Sequence, residues 1–423
     1  MTTSDRATHP LTAPHRRFVA AIVIDSIGTG VFVPVSMLYF LATTSLTLVQ
    51  VGAALTTAGL LALPAGPLVG GLVDRYGAKP VLQAANLAQA LGFAGYLVAG
   101  QTWQISLCAW LNSAGRAVFF GCYGVTVTAL AAPGQRERWF GLLGSVRNLG
   151  YALGGLLSAV AVTIGTHGGY ATIVVVNALS YVAAFALLQA VPNARPKPGQ
   201  DAAGGWPRVL RDRRYLSLVA HQLSFAISLF ALNIAIPVYA VDVLGLPGWT
   251  AGAVFTLNTL MVGFGQGIVV RWLGGRIRSH VLVAGHACFA AGYLLFLAAD
   301  RMAALAPLAI AVVLLGTGSY TFGEILGGPV TSTVAAESAP EALRGRYLAL
   351  NQLAVTVAGA ITPVALSGLL STGAAAIWLT LVGVSILGAT LATAIGRAVP
   401  AAQNRIGGVE SSPRQLPEGS SPT

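Results

Sequence analysis

Long apolar runs separated by short polar segments make up almost the whole chain. Each run is continuous instead of alternating, which indicates membrane helices and argues against the strands of a membrane barrel. A helix needs roughly 20 apolar residues to cross a bilayer. Twelve runs reach that length: 18–42, 49–72, 80–100, 103–130, 139–164, 169–191, 215–242, 248–270, 281–299, 304–335, 346–370 and 374–396. The pattern therefore predicts an all-α integral membrane protein with twelve transmembrane helices.

Composition leads to the same fold class. Of the 423 residues, 55% are hydrophobic and only 9% are charged, and the mean hydropathy is +0.74. A soluble domain carries roughly 25% charged residues. So few charges cannot cover a water-exposed surface, and the lipid bilayer is therefore an expected partner. In lipid, backbone polar groups must bond within the segment or within a closed barrel.

The positions of the basic residues test the predicted spans. When the polar segments are assigned alternately to two sides, all 24 Lys and Arg except Arg116 and Arg301 fall on one side or at its membrane edge. The positive-inside rule makes that side cytoplasmic. An even number of spans then places both termini in the cytoplasm. A strong excess of Arg over Lys is typical of a bacterial chain, so we expect the plasma (inner) membrane of a bacterium.

The same map predicts the domain organisation. The longest internal loop ends in a basic cluster and divides the chain into halves of six spans each. This cluster is either an orientation signal and tether or a contact for anionic lipid headgroups. The expected regions are a cytoplasmic N-terminal tail (1–17), an N-terminal six-helix bundle (18–191), a cytoplasmic linker (192–214), a C-terminal six-helix bundle (215–397) and a disordered cytoplasmic tail (398–423).

Composition also excludes several functions. The net charge of +11 does not indicate nucleic-acid binding, because the basic residues sit between apolar runs and no reader motif accompanies them. Cys108, Cys122 and Cys288 all lie inside apolar runs, without the spacing of a disulfide framework or a metal site. We therefore expect no metal and no cofactor.

The loop after the second span carries the most specific motif in the chain. Gly70 allows neighbouring helices to approach closely, and Gly77 permits a tight turn. Asp74 is positioned to meet a helix N-terminus or a basic residue, and Arg75 to pair across a cytoplasmic interface. We interpret this loop as a conformational latch that also includes Lys79. The run reads Gly70-Gly71-Leu72-Val73-Asp74-Arg75-Tyr76-Gly77-Ala78-Lys79.

This run resembles the signature loop of the major facilitator superfamily, and it departs from that signature at Ala78, where the family usually has a basic residue. The resemblance covers roughly residues 15–400. It implies two pseudo-symmetric six-helix bundles around a central cavity, in a chain that works as a monomer. A degenerate second copy at 267–276, with Arg271 in place of the Asp, is similar to the repeat that such a fold contains.

Two further segments resemble drug:proton antiporters of this superfamily. The tenth span and the loop after it, from Gly323 to Tyr347, are similar to the corresponding region of those exporters. The fifth span keeps the exporter glycines as Gly150, Gly154 and Gly155, but has Tyr151 where the exporters have proline. These glycines either pack helices closely or contribute to the direction of transport.

Three ionisable residues lie deep in predicted spans: Asp25, Arg116 and Glu324. A charge at the bilayer centre costs at least ~2.5–3.5 kcal/mol, so intramembrane charges are functional candidates. The resemblance places their spans, the first, fourth and tenth, around the central cavity. We interpret Asp25 and Glu324 as candidate proton carriers and Arg116 as their ion-pair partner. The alternative is a fixed ion pair or a hydrogen bond that holds the bundle together.

Polar and aromatic residues on the predicted cavity helices fit a small amphiphilic organic substrate. Each of them is a contact candidate, with helix packing as the alternative. The candidates are Asn112, Tyr123, Gln222, Asn233 and Tyr320.

Together these features predict a secondary active transporter, with proton-coupled efflux of drug-like or natural-product molecules by alternating access. Uptake or facilitated diffusion of a small metabolite is the alternative, which Tyr151 keeps open. An enzyme is not expected, because no His-Glu-x-x-His, Gly-x-Ser-x-Gly or P-loop motif is present. A sensor or scaffold is not expected either, since no segment is long enough for a soluble signalling domain.

Overall fold

A computed structural model describes residues 12–132, 134–164, 167–193, 205–398 and 404–407, and these are almost entirely helical. The first half of the chain contains α1 (Ala13–Phe32), α2 (Ser36–Thr43), α3 (Leu48–Ala62), α4 (Ala65–Tyr76), α5 (Ala78–Tyr96), α6 (Thr102–Leu130), α7 (Arg136–Ile164) and α8 (His167–Leu188). The second half contains α9 (Gly205–Arg211), α10 (Arg213–Val238), α11 (Trp249–Leu260), α12 (Gln266–Trp272), α13 (Arg278–Asp300), α14 (Ala306–Glu337), α15 (Arg344–Thr372) and α16 (Ala374–Ala398).

Some segments that the sequence predicts as regular α-helices are bent or contain π-helical turns. The second segment bends by 40° between α3 and α4, where Pro64 supplies no backbone N–H to continue the helix. In the second half, a π-helical turn at Met261–Gly265 joins α11 to α12 within one continuous helix, and another at Tyr239–Val243 follows the end of α10. Hydrophobicity alone does not reveal the bend or the π-helical turns, because the apolar run continues through each of them.

Among the described residues, six helices are long and apolar enough to cross a membrane. The bent pair α3–α4 adds a seventh if it is counted as one span. The six are Gly168–Leu188, Arg213–Leu232, Trp249–Trp272, Arg278–Asp300, Ala306–Glu337 and Ala374–Arg397. The protein is therefore an integral membrane protein, and the count of twelve spans stays a prediction.

The two halves of the chain meet mainly through α15 against α4 and α6, and through α7 against α12 and α14. These contacts lie at one end of the bundle, which we call the arginine-rich end and define by Asp74, Arg136, Arg278 and Arg346. An apolar cluster just inside this end combines first-half side chains with Leu348 and two alanines of α14. Charged and apolar contacts thus close the bundle at the arginine-rich end.

The predicted linker and tail contain ordered structure. Within the linker, α9 buries Val209, and Asp212 caps α10 by accepting a hydrogen bond from the Tyr215 N–H at 3.1 Å. In the tail predicted to be disordered, residues 404–407 pair with the loop before α13, and Ile406 is buried. Backbone bonds to 275–278 order this short segment, a difference from the expectation. The predictions for residues 1–11, 194–204, 399–403 and 408–423 lie outside the described residues.

Candidate functional site

A central cavity of about 690 Å³ lies between the two halves of the chain. First-half helices α3, α6 and α7 form one wall, and α10, α14 and α15 form the other. The lining residues are Gly59, Ala62, Ser113, Arg116, Ala117, Phe120, Tyr123, Gly124, Phe140, Arg147, Phe230, Ser332, Ala335, Leu348, Asn351, Gln352, Val355, Thr356 and Gly359. A cavity of this size suits a drug-sized molecule.

Two arginines stand in the first-half wall. Arg116 lies one turn before Phe120 on α6, with its guanidinium carbon 6.0 Å from that ring centroid. Arg147 on α7 lies 5.2 Å from the same ring and 4.8 Å from the ring of Tyr123. Cation–π contacts of this kind hold a guanidinium against an aromatic face. Both charges are thereby positioned along one side of the cavity.

Asp25 lies in a much smaller cavity that adjoins the central one. The two cavities share Arg116, Phe120 and Arg147 as lining residues. Among the described residues, no carboxylate oxygen lies within 4.0 Å of a guanidinium nitrogen of Arg116 or Arg147, in contrast to the arginines at the arginine-rich end. Asp25 is therefore a neighbour of the arginines without a direct ion pair.

Glu324 lies apart from this group. The amide of Asn258 on α11 donates to the Glu324 carboxylate at 2.9 Å and to the Thr321 hydroxyl at 3.1 Å. The carboxylate thus faces the contact of α11 with α14, and Glu324 does not line the central cavity among the described residues. Of the two predicted carriers, the structure brings Asp25 near Arg116 and places Glu324 elsewhere.

The structure places one of the five predicted cavity residues in the central cavity and one in the core of the second half. Tyr123 lines the central cavity. Tyr320 is fully buried and donates a hydrogen bond to the Ser228 carbonyl at 2.8 Å, so it belongs to the core of the second half.

Three other candidates have different surroundings. Asn112 packs against Gly92 of α5, away from the cavity. Gln222 is half-buried on α10 and is not among the described lining residues. Asn233 lies on the same helix, and its side chain is outside the part of the chain that the structure describes.

Sequence reasoning missed Arg147, Asn351 and Gln352 as cavity residues. The sequence-based prediction places Arg147 with the basic residues at the cytoplasmic membrane edge. The available signal was position, since Arg147 is the ninth residue of the predicted span 139–164 and so about 12 Å along its helix. The sequence contains no equivalent signal for Asn351 and Gln352. They are uncharged and lie near the start of the predicted span 346–370, where polar residues commonly pack between helices.

The signature loop contacts the second half of the chain through Asp74. Its carboxylate accepts a hydrogen bond from the Gly345 N–H at 2.7 Å and one from the Arg346 guanidinium at 2.9 Å. Gly345 lies in the first turn of α15, so Asp74 meets both a helix N-terminus and a basic residue. At Gly70, a Cβ would lie 2.8 Å from the Arg346 Cα, so the helices meet backbone to backbone.

The rest of the loop acts within the first half. Gly77 has φ +85°, which favours glycine, and it turns the chain from α4 into α5. The Lys79 side chain donates to the Gln189 carbonyl, and its backbone N–H donates to Asn193 at 3.2 Å.

Arg75 does not make the expected pairing across the interface. Among the described residues it has no ion pair, and its guanidinium lies 5.2 Å from the neighbouring Tyr76 ring. Arg346 from α15 supplies the cation that Asp74 binds instead.

A second group of ion pairs also joins the halves at the arginine-rich end. Arg278 of α13 binds Glu137 of α7 at 2.6 Å and Glu337 of α14 at 2.6 Å. Glu337 in turn binds Arg136 at 2.8 Å. Glu137 and Arg278 are 1% and 4% exposed, so this network is largely removed from solvent.

The fifth-span glycines have unequal surroundings. A Cβ at Gly150 would lie 2.6 Å from the Ser26 Cβ, and one at Gly154 would meet the Ile27 carbonyl of α1. A Cβ at Gly155 would meet nothing within 4 Å. Gly150 and Gly154 thus allow the close packing of α7 on α1, and Gly155 does not take part in that contact.

Comparisons with known proteins agree with this architecture. The family model "Major Facilitator Superfamily" matches residues 18–363. Relatives named "Multidrug resistance protein MdtH" from Klebsiella pneumoniae (strain 342) and Shigella boydii serotype 4 (strain Sb227) are each 26% identical to this chain. Each match covers 79% of this chain and 81% of the relative.

Solved structures share the fold at low sequence identity. A bacterial homologue of the iron transporter ferroportin in an outward-facing state has a TM-score of 0.70 at 15% identity, covering 92% of this chain and 99% of its own. The proton:xylose symporter XylE has a TM-score of 0.69 at 16% identity, covering 93% and 98%.

The family match spans most of the chain, and the structural neighbours have the same fold over nearly their full length. The resemblance noted from the signature loop is therefore confirmed: this chain belongs to the Major Facilitator Superfamily, and it is a membrane transporter and not an enzyme.

Proposed function

We propose that this protein is a proton-coupled exporter of amphiphilic organic molecules in the inner membrane of a bacterium. In this proposal twelve spans form two six-helix bundles, at 18–191 and 215–397, and the chain works as a monomer. The observation that carries it is the central cavity of about 690 Å³, which has walls from both halves and is closed at one end. Alternating access requires a site of this kind between two bundles.

The closed end gives the proposed conformation. The positive-inside rule assigns the arginine-rich end to the cytoplasm. With that end closed by Asp74, the Arg278 network and the apolar cluster, the protein is in an outward-facing state. Opening to the cytoplasm requires these contacts to separate, so they set the balance between the two states. Loop residues 70–79 then act as the conformational latch, with Gly70 and Asp74 at the interface.

The relatives support export of drug-like compounds, since they are named multidrug resistance proteins and align over most of both chains. Uptake or facilitated diffusion is the second candidate, and Tyr151 at the position of the exporter proline favours it. The same cavity and latch would serve either direction.

Proton coupling in this proposal uses the intramembrane carboxylates Asp25 and Glu324. Carboxylates at this depth are costly unless they pair or take a proton. Glu324 has a neutral partner, Asn258, which accommodates either protonation state by reorienting its amide. Asp25 has cationic neighbours, so its protonation changes the charge next to the cavity.

Substrate-induced proton movement tests the proposed function. Purified protein is placed in vesicles that contain a pH-sensitive dye, a pH gradient is imposed, and a panel of amphiphilic compounds is added. We expect substrate-dependent collapse of the gradient in the wild type and its loss in Glu324→Gln or Asp25→Asn. Equilibration of a labelled solute without proton movement would contradict proton coupling and favour facilitated diffusion.

A further inference from the structure

We infer, building on the proposed transport function, that the central cavity selects organic anions: molecules with an aromatic or apolar body and a carboxylate or similar acidic group. Two guanidinium groups, of Arg116 and Arg147, line the cavity. Among its described lining residues there is no Asp and no Glu. The charged groups on this surface are therefore cationic, and a substrate with a negative charge complements them.

Electrostatics in the membrane strengthens this assignment. A charged group removed from water needs a partner of opposite charge or access to a water-filled cavity. Arg116 and Arg147 have no carboxylate within 4.0 Å in the described part of the chain, and Asp25 in the adjoining cavity is the acidic group near both. One carboxylate against two guanidinium groups leaves a net charge of about +1 beside the cavity. A bound anion neutralises it.

Guanidinium chemistry also fits a carboxylate. Its planar fork of N–H donors binds a carboxylate through two parallel charge-assisted hydrogen bonds. The rings of Phe120 and Tyr123 lie 5.2 and 4.8 Å from the Arg147 guanidinium carbon and hold it by cation–π contacts in the wall of the cavity, where a carboxylate can reach it.

The rest of the lining supplies the site for the apolar body of the substrate. Phe140 from α7 and Phe230 from α10 contribute aromatic surface on either side of the cavity. Asn351 and Gln352 on α15 contribute amides that donate and accept hydrogen bonds. An amphiphilic anion thus finds its acid group bound at the first-half wall and its body bound between the halves.

A lipophilic cation is disfavoured by the same arrangement. It would bring a third positive charge next to Arg116 and Arg147, and the described lining offers no carboxylate to compensate. Like charges in a site of low dielectric repel strongly.

A matched series of fluorescent probes tests the inference: dansylglycine (anion), dansylglycinamide (neutral) and dansylcadaverine (cation), which share one aromatic body. Binding is measured by dansyl fluorescence on wild-type protein in nanodiscs, with empty nanodiscs subtracted. We expect dansylglycine to bind about ten- to hundredfold more tightly than the amide. Arg147→Gln and Arg116→Gln should each reduce the affinity for dansylglycine toward that for the amide and leave amide affinity unchanged.

Arg138→Gln is the matched control, because it removes the same charge from an exposed position on α7 outside the cavity. It should retain the wild-type preference for the anion. Equal binding of the three probes, or tighter binding of dansylcadaverine, would overturn the anionic class and leave the transport function standing. Absence of binding by all three probes, together with absence of flux of any compound in vesicles, would overturn the proposed function and this inference with it.

Discussion

The Asp74 carboxylate binds the Arg346 guanidinium at 2.9 Å and joins two helices that are 272 positions apart in the sequence. The same carboxylate caps the first turn of α15 through the Gly345 N–H. Asp74 is 5% exposed and Arg346 is 20% exposed, so solvent screens this pair only in part. The contact therefore stabilises the closed arginine-rich end, and its loss should favour the opposite state.

Asp74→Asn should shift the conformational equilibrium toward opening of the arginine-rich end. The amide keeps a carbonyl for the Gly345 N–H but loses the charge-assisted bond to Arg346, at a cost of about 1.5–3 kcal/mol. That cost changes the ratio of states on the order of ten- to hundredfold. Spin labels at Arg138→Cys and Arg397→Cys, two exposed positions in different halves, report the separation in a background without the native cysteines. An unchanged distance distribution would exclude the latch role of Asp74.

Gly70→Ala should have a similar effect for a steric reason. The added methyl group would lie 2.8 Å from the Arg346 Cα, which forces α4 and α15 apart. Gly71→Ala is the matched control, because its Cβ would meet only the flexible end of the Arg346 side chain, at 3.6 Å. The same spin-label distances should broaden in Gly70→Ala and stay as in the wild type in Gly71→Ala. Broader distances in Gly71→Ala than in Gly70→Ala would show that the helices do not meet at Gly70.

Arg278→Gln should lower the free energy of unfolding by about 3–5 kcal/mol, because it leaves the buried Glu137 carboxylate without its cation. Thermal unfolding of purified protein, followed by tryptophan fluorescence, measures the change. Arg138→Gln removes an exposed arginine one position beyond Glu137 and should leave the melting temperature unchanged. An equal fall in melting temperature in Arg278→Gln and Arg138→Gln would mean that the total positive charge, and not the Arg278 network, stabilises this end.

Asp25→Asn should raise the affinity for dansylglycine. The variant removes the negative charge that adjoins Arg116 and Arg147, so the arginines attract the anion more strongly. Glu324→Gln should leave that affinity unchanged, since the Glu324 carboxylate bonds Asn258 away from the cavity. Binding titrations in nanodiscs distinguish the two. Weaker binding by Asp25→Asn would show that Asp25 positions the arginines instead of competing with the substrate.

The sequence predicted the positions of the helices along the chain and the kind of group that Asp74 contacts. The runs of apolar residues predicted the helices. The motif at residues 70–79 predicted that Asp74 would contact a helix N-terminus or a basic residue, and it contacts both. The sequence did not predict which arginine binds Asp74, because Arg346 and Arg75 carry the same charge and only the packing of the helices distinguishes them. The rotation of each helix about its axis determines which side chains face the cavity. Tyr320 points into the core of the second half and Arg147 into the cavity. A continuous apolar run does not indicate this rotation. The bend at Pro64 has a signal in the sequence, since proline cannot continue a helix, but the π-helical turns have none in a continuous apolar run.

The most direct test of the arginine-lined cavity as the transport site is the flux of dansylglycine in proteoliposomes with an imposed pH gradient. We expect saturable, gradient-driven transport by the wild type and by Arg138→Gln, and its loss in Arg147→Gln. Flux at the rate of empty liposomes, or flux that Arg147→Gln leaves unchanged, would contradict a transport site built on this arginine.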